Sequence, residues 1–210
     1  ERATLVISPG ADVAAGKLYA AYNGTGRSGA VIQNGGLLNV GTNTSGTDVF
    51  SVGNNGGYGY YRLAGGTMRT GQFGVTGGGT GSTAKETVGV VDLESGTATV
   101  TKGYLIWGWK EGVSVLNIRS ASLYANGGSD TTFAFAENGG SSSALNLLAP
   151  DALFDSTANG TARRVQLALK AGNAHSTVNL NAGLLVANAF YASSSATPTF
   201  VNFGGGTLSA

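Results

Sequence analysis

The chain has 210 residues, 36 of them glycine, a formal net charge of +1, three prolines and no cysteine. Lacking cysteine, it builds neither a disulfide framework nor a thiolate metal site, and three prolines without a Gly-X-Y period exclude collagen. Its few scattered charges leave no electrostatic footprint for nucleic acid, no run of 18 apolar residues reads as a membrane-spanning helix, and 41% hydrophobic residues exclude a charge-rich disordered polymer.

One pattern recurs along the chain: apolar, polar, apolar, two small residues, Gly, any residue, apolar. Its third position serves as an anchor and falls at Ile7, Gln33, Leu63, Leu93, Ile118, Leu147, Leu180 and Phe203, about 28 residues apart. Two residues before the anchor stand Leu5, Val31, Tyr61, Val91, Leu116, Leu145, Val178 and Val201, all large and apolar. One before it stand Val6, Ile32, Arg62, Asp92, Asn117, Asn146, Asn179 and Asn202, mostly polar. This alternation predicts a strand with one buried face. Three after the anchor, Gly10, Gly36, Gly66, Gly96, Gly183 and Gly206 predict a bend at positive φ, with Ala121 and Pro150 in the other two units. Five after it, Asp12, Leu38, Met68, Ala98, Leu123, Ala152, Leu185 and Leu208 predict a second short strand.

A third strand is expected near Ala20–Tyr22 and then at Phe50–Gly53, Phe73–Thr76, Leu105–Gly108, Phe133–Ala136, Leu167–Lys170 and from Phe190. The interval from its start to the next anchor is close to 13 residues except after Phe73, where Gly77–Thr87 reads as a loop insertion. No segment carries a 3.6-residue helical period. Short strands at a fixed period of 20–50 residues indicate a solenoid or propeller, and these units are too short for propeller blades. The expected fold is all-β: one continuous parallel β-helix over residues 1–210, with about eight coils.

The unit Val201-Asn202-Phe203-Gly204-Gly205-Gly206-Thr207-Leu208 resembles the β-strand repeat of bacterial autotransporter passenger domains. Leu63-Ala64-Gly65-Gly66-Thr67-Met68 and Phe50-Ser51-Val52-Gly53-Asn54 are similar to the Gly-rich repeats of very large secreted surface proteins. The resemblance covers nearly the whole chain. It implies a parallel β-helix exported to the bacterial cell surface or beyond, in an adhesin or fibrous scaffold. No C-terminal barrel pattern accompanies it.

Asn117, Asn146, Asn179 and Asn202 are the most specific polar feature. In register they form a side-chain amide ladder between coils; otherwise they are solvated outward residues, turn caps or ligand contacts. Trp109 and Tyr104, with Tyr60 and Tyr61, are a candidate aromatic platform for sugars or a partner, against a packing role. Trp107 aligns with Val52 and Val75 and is expected in the core.

Gly24-Thr25-Gly26-Arg27-Ser28-Gly29 matches a dinucleotide fingerprint, but a strand pattern rather than a helix follows it. Gly10–Lys17 lacks P-loop spacing. His175, the one histidine, has no nucleophile-elbow motif to join. A carbohydrate-cleaving β-helix would need paired carboxylates; Asp92 with Glu94 and Asp151 with Asp155 are the candidates, and Arg62 is placed to pair with Asp92. Asn23, Asn43 and Asn159 begin glycosylation-type triplets.

The chain starts at Glu1, as a processed product or a fragment would, and neither end carries a polar capping unit. Leu5, Ile7, Val201 and Phe203 are therefore candidate self-association edges, by which copies stack end to end. The expected function is a non-enzymatic extracellular rod in a surface fibre, scaffold or adhesin stalk. It needs no cofactor, and cell-surface glycans or matrix are candidate partners. The alternative is a carbohydrate-binding or carbohydrate-cleaving β-helix.

Overall fold

A computed structural model describes residues 1–22, 24, 26–41, 49–76, 87–101, 105–108, 112–125, 133–135, 140–157, 164–167, 174–192 and 198–210. The chain runs through β1 (Arg2–Ile7), β2 (Asp12–Ala15), β3 (Leu18–Tyr19), β4 (Ser28–Gln33), β5 (Leu37–Val40), β6 (Val49–Gly53), β7 (Tyr58–Leu63), β8 (Thr67–Thr70) and β9 (Gln72–Thr76). It continues through β10 (Val88–Val100), β11 (Leu105–Trp107), β12 (Val113–Ala125), β13 (Phe133–Phe135), β14 (Ser142–Leu147), β15 (Leu153–Asp155) and β16 (Arg164–Leu167). It ends in β17 (His175–Leu180), β18 (Leu184–Val186), β19 (Ala189–Ala192), β20 (Thr199–Phe203) and β21 (Thr207–Ser209).

The fold is an all-β parallel solenoid, and the described residues contain no helix. One ladder runs β1-β4-β7-β10-β12-β14-β17-β20. A second runs from β2, β5 and β8 through the C-terminal halves of β10 and β12 to β15, β18 and β21. The long strands β10 and β12 belong to both ladders and join them in one sheet. A third ladder, β3-β6-β9-β11-β13-β16-β19, forms a separate sheet. Among the described residues every strand pairing is parallel, and each anchor stands opposite the next, from Ile7↔Gln33 to Leu180↔Phe203.

The period-two pattern does the folding work. Strands β4, β14 and β17 bury every second residue, and those residues stack into apolar columns inside the coils. Val31, Tyr61, Val91, Leu116, Leu145 and Val178 fill one column and Leu63, Leu93, Ile118, Leu147 and Leu180 its neighbour, all buried. Each such side chain contributes about 1.5–3 kcal/mol on leaving water.

All six expected bend glycines have positive φ. Gly66 (φ 85°) shows why. A Cβ there would stand 2.3 Å from the carbonyl oxygen of Gly36, its neighbour in the stack. Ala121, opposite Gly96 in the ladder, keeps a non-positive φ, as a residue with a side chain prefers. At Pro150 the bend is instead a longer turn, closed by the Ala152 amide donating to the Ala149 carbonyl at 3.0 Å.

Bend length corrects two columns. In the second strand Val13, not Asp12, stands opposite Leu38, and Phe154, not Ala152, stands between Leu123 and Leu185. Two third-strand starts also move. Leu18 and Val165 stand opposite Phe50 and Phe133, two residues before Ala20 and Leu167. A two-residue shift keeps inward residues inward, so alternation alone does not detect it. The Gly77–Thr87 insertion lies outside the described residues apart from Thr87.

Two features go beyond the sequence pattern. Gln33, an anchor, is fully buried with its hydrogen-bonding capacity met: Tyr61 Oη donates to its Oε1 at 2.8 Å, and its Nε2 donates to the carbonyls of Gly36 and Thr67 at 3.2 and 3.0 Å. Burial pushes the Tyr61 hydroxyl far above its ordinary range, keeping it a neutral donor. The other is a column of small residues four before the anchor, in which Gly29, Gly59 and Gly89 stand opposite one another. There the third strand turns back so closely that a Cβ on Gly59 would lie 1.6 Å from the Val52 carbonyl oxygen.

Candidate functional site

The outward residues one before each anchor form a polar strip from Arg62 to Asn202. Asn117 Nδ2 donates to Asp92 Oδ1 at 2.7 Å, Asn146 Nδ2 to Asn117 Oδ1 at 2.8 Å, Asn179 Nδ2 to Asn146 Oδ1 at 2.7 Å and Asn202 Nδ2 to Asn179 Oδ1 at 2.8 Å. The parallel register produces this chain, since it stacks Asp92, Asn117, Asn146, Asn179 and Asn202 opposite one another.

Asp92 sets the direction. An ionised carboxylate only accepts hydrogen bonds, so Asn117 must turn its amide nitrogen toward it. That leaves the Asn117 oxygen to accept from Asn146, and the same orientation passes along the ladder. The other Asp92 oxygen accepts from Tyr60 Oη at 2.8 Å. The expected ion pair between Arg62 and Asp92 does not form. Arg62 lies opposite Asp92 in the backbone register but extends to Glu94, with Nη2 2.6 Å from Oε2. Tyr60 and Asn117 occupy Asp92 from its two neighbouring coils, so the guanidinium takes the next carboxylate on the same strand.

The Tyr60 hydroxyl is pushed up to about 12, from an ordinary 10.0, by burial first and then by its hydrogen bond to Asp92. A raised folded-state value means the unfolded chain releases this proton first. Stability therefore holds below pH 10 and falls as pH rises toward 12. Tyr60→Phe is expected to remove part of that alkaline slope in unfolding titrations between about pH 9 and about pH 12; an unchanged slope would count against the Tyr60–Asp92 bond.

Replacing Asn146 with Asp tests the ladder itself. The Asn117 oxygen would face an acceptor-only group, and we expect a loss of about 1–3 kcal/mol near neutral pH. Repulsion raises the new carboxyl's folded value above the roughly 3.9 of a free Asp. The loss should therefore shrink as pH falls, because a protonated carboxyl at this position can donate. Denaturant melts at about pH 7 and about pH 4, on either side of that titration, measure it; equal losses at both would reject the ladder.

Beside the strip, Arg2, Thr4, Ser28, Ala30, Tyr58, Tyr60, Val88 and Val90 line a shallow trough of about 430 Å³. Its floor is low because Ser28 and Ala30 are small and stand between the Thr4 and Tyr60 coils. The proposed platform residues Trp109 and Tyr104 lie outside the described residues, as do Asn23, Asn43 and Asn159. Trp107 stands opposite Phe135 in the third ladder. His175 is exposed at the start of β17, and Asp151 is exposed. Asp155 accepts from the backbone and hydroxyl of Thr157, at 2.7 and 2.9 Å, as a turn-stabilising carboxylate does. The Gly24–Gly29 motif leads directly into β4, a strand. Among the described residues no group of three His, Cys, Asp or Glu converges on a metal position, and no helix is long and apolar enough to cross a membrane.

Of the candidate edge residues, Leu5 and Phe203 are exposed, Val201 is half-buried and Ile7 is buried in the core. Sequence reasoning missed the Tyr60 contact and the small-residue column. The column had a signal, because Ala3, Gly29, Gly59, Gly89, Ser114, Ser143, Ser176 and Thr199 all stand four before their anchors.

The class of protein defined by this fold is the parallel β-solenoid. Comparison with protein-family models, curated proteins and known structures finds no significant match to the chain.

Proposed function

We propose that this chain is a non-enzymatic structural element, a solenoid rod of eight coils of about 28 residues that works at or beyond a bacterial cell surface. The observation that carries this reading is the unbroken parallel ladder from β1 to β20, backed by stacked apolar columns and an amide ladder on its surface. Load along the axis would be shared by all three ladders at once. The resemblance to autotransporter-type passenger repeats supports export and a role in a fibre, scaffold or adhesin stalk. Asp92 fits a structural role better than a catalytic one, because both its oxygens already accept protein hydrogen bonds.

We propose that further copies of the chain stack end to end on its terminal coils. Leu5, Val6, Phe203 and Leu208 present apolar side chains there. Electron microscopy of the purified 20.9 kDa chain tests this. Fibres that lengthen with concentration are expected, and monodisperse short rods would rule stacking out. Turnover on any member of a polysaccharide panel, abolished by Asp92→Ala or Asp151→Ala, would overturn the non-enzymatic reading.

A further inference from the structure

Neighbouring coils carry nearly the same inward pattern, so burial alone does not say which strand belongs beside which. Val31 and the anchor Gln33 on β4 are followed by Tyr61 and Leu63 on β7, then by Val91 and Leu93 on β10. All six are buried. An apolar interior accepts exchanges among such strands at modest cost, and a repeat array can nucleate anywhere along its length. During folding, nothing in the alternation keeps β4 from meeting β10 while β7 loops out.

Gln33 and Tyr61 do reject that pairing. The other seven anchors are apolar, and Tyr61 is the one hydroxyl in the column two before the anchor. Both residues are fully buried. Tyr61 Oη donates to Gln33 Oε1 at 2.8 Å, and Gln33 Nε2 reaches the Thr67 carbonyl of the same neighbouring coil at 3.0 Å. With β10 in that place, Val91 would stand where Tyr61 stands, and the Gln33 oxygen would face carbon. With β1 beside β7, Ile7 would stand where Gln33 stands, and the Tyr61 hydroxyl would lose its acceptor. A two-residue slip keeps each residue on its side but moves Tyr61 about 6.6 Å along the strand, which parts the same bond. Each wrong arrangement strands a buried polar group. The native arrangement gains little in return, since an apolar pair of similar shape is about as stable. A contact that penalises the alternatives more than it stabilises the native state selects between them. Further along, β12, β14 and β17 carry no such mark. They present Leu116 and Ile118, Leu145 and Leu147, and Val178 and Leu180, with asparagine between the members of each pair.

We propose that the Gln33–Tyr61 hydrogen bond is a pairing lock, which fixes β4 beside β7 and sets the order of the N-terminal coils while the chain folds.

Refolding two-cysteine chains under oxidation tests it, the parent having no cysteine. Ser28 and Val88 stand opposite Tyr58 on its two sides. Their Cα atoms are therefore about 9.6 Å apart in the native ladder, beyond the roughly 7 Å that a disulfide spans. In a Ser28→Cys, Val88→Cys chain, a bridge thus reports β4 meeting β10. Val113→Cys, His175→Cys is the matching reporter across Ser142, in the unmarked region. Peptide mapping of chains trapped early in refolding counts each bridge, normalised to the same chain oxidised in denaturant. In the otherwise unaltered chain, the bridge between positions 113 and 175 should exceed that between 28 and 88 by at least about fivefold, the factor one stranded polar group supplies. Adding Gln33→Leu and Tyr61→Phe should raise the bridge between 28 and 88 by a similar factor. It should leave the other bridge unchanged and keep equilibrium stability at or above the parental level. Leucine already serves as the anchor at position 63, and the Gly36 carbonyl keeps the Thr67 amide at 2.9 Å. Equal bridging at the two places in the otherwise unaltered chain would overturn the proposal. So would an unchanged bridge between 28 and 88 once the pair is removed. A doubly substituted chain that no longer folds would show that the pair supports the coils instead of sorting them, and would overturn it equally.

Discussion

Gly59→Ala is expected to prevent the chain from folding, or to lower its stability by more than about 4 kcal/mol. The added methyl would lie 1.6 Å from the Val52 carbonyl oxygen and 2.2 Å from its carbon, where real contacts come no closer than 3.0 Å. Val52 cannot swing away, because its carbonyl accepts a hydrogen bond from the Ala21 amide at 3.1 Å in the neighbouring coil. Gly59 is also held, being paired on both sides by Gly29 and Gly89. Relief would mean parting the third strand from the first by more than about 1 Å to restore ordinary contact distances, opening the interior around Phe50 and Tyr61. Gly29→Ala, with the same 1.6 Å approach to the Ala20 carbonyl, should behave alike. Gly16→Ala is the control: a Cβ there meets nothing within 4 Å and its φ is not positive. It should be neutral or stabilise by up to about 1 kcal/mol, since alanine restricts the unfolded chain. Thermal and denaturant melts of the three variants measure this. A soluble, cooperatively folded Gly59→Ala chain near parental stability would show that the first and third strands do not approach this closely.

That contrast separates what the sequence made legible from what it did not. The first strand was legible because its alternation and its Gly bend recur together, so each of the eight anchors sits in the first ladder in register. The amide column followed from the same alignment. What escaped depended on distances across a coil. Gly59 and Gly16 look alike in sequence, yet only Gly59 faces a backbone oxygen on another side of the coil. Gln33 stood out as a polar anchor, but its partners Tyr61, Gly36 and Thr67 come from separate stretches of chain, which a linear pattern does not rank. The Leu18 and Val165 starts were missed because a two-residue slip preserves the side each residue faces. The Arg62 pairing was missed for a different reason. Opposite charges in register were visible, but the prior claim of Tyr60 and Asn117 on Asp92 was not.

Position along the rod should matter as much as side-chain chemistry, and Phe50→Ala shows how. Phe50 is fully buried, with its ring 4.9 Å from Tyr61 and 5.3 Å from Phe73 between centroids. Truncating it removes one member of a three-ring cluster and leaves a cavity whose walls are tied into the ladders. The expected cost is about 3–5 kcal/mol. Phe50→Leu should recover a large share by keeping most of the volume. Phe203→Ala, at a residue 60% exposed on the last coil, should cost less than about 0.5 kcal/mol in the isolated chain. A solenoid is close to one-dimensional, so stability is passed from coil to coil through neighbouring contacts. Weakening a coil near the N-terminal third should therefore separate the coils on either side. Hydrogen exchange of Phe50→Ala is expected to show faster exchange in β1 through β6, while strands beyond β10 keep their protection. Uniform loss of protection along the whole chain would mean that the coils unfold as one unit, and the nearest-neighbour account would then be wrong for this rod.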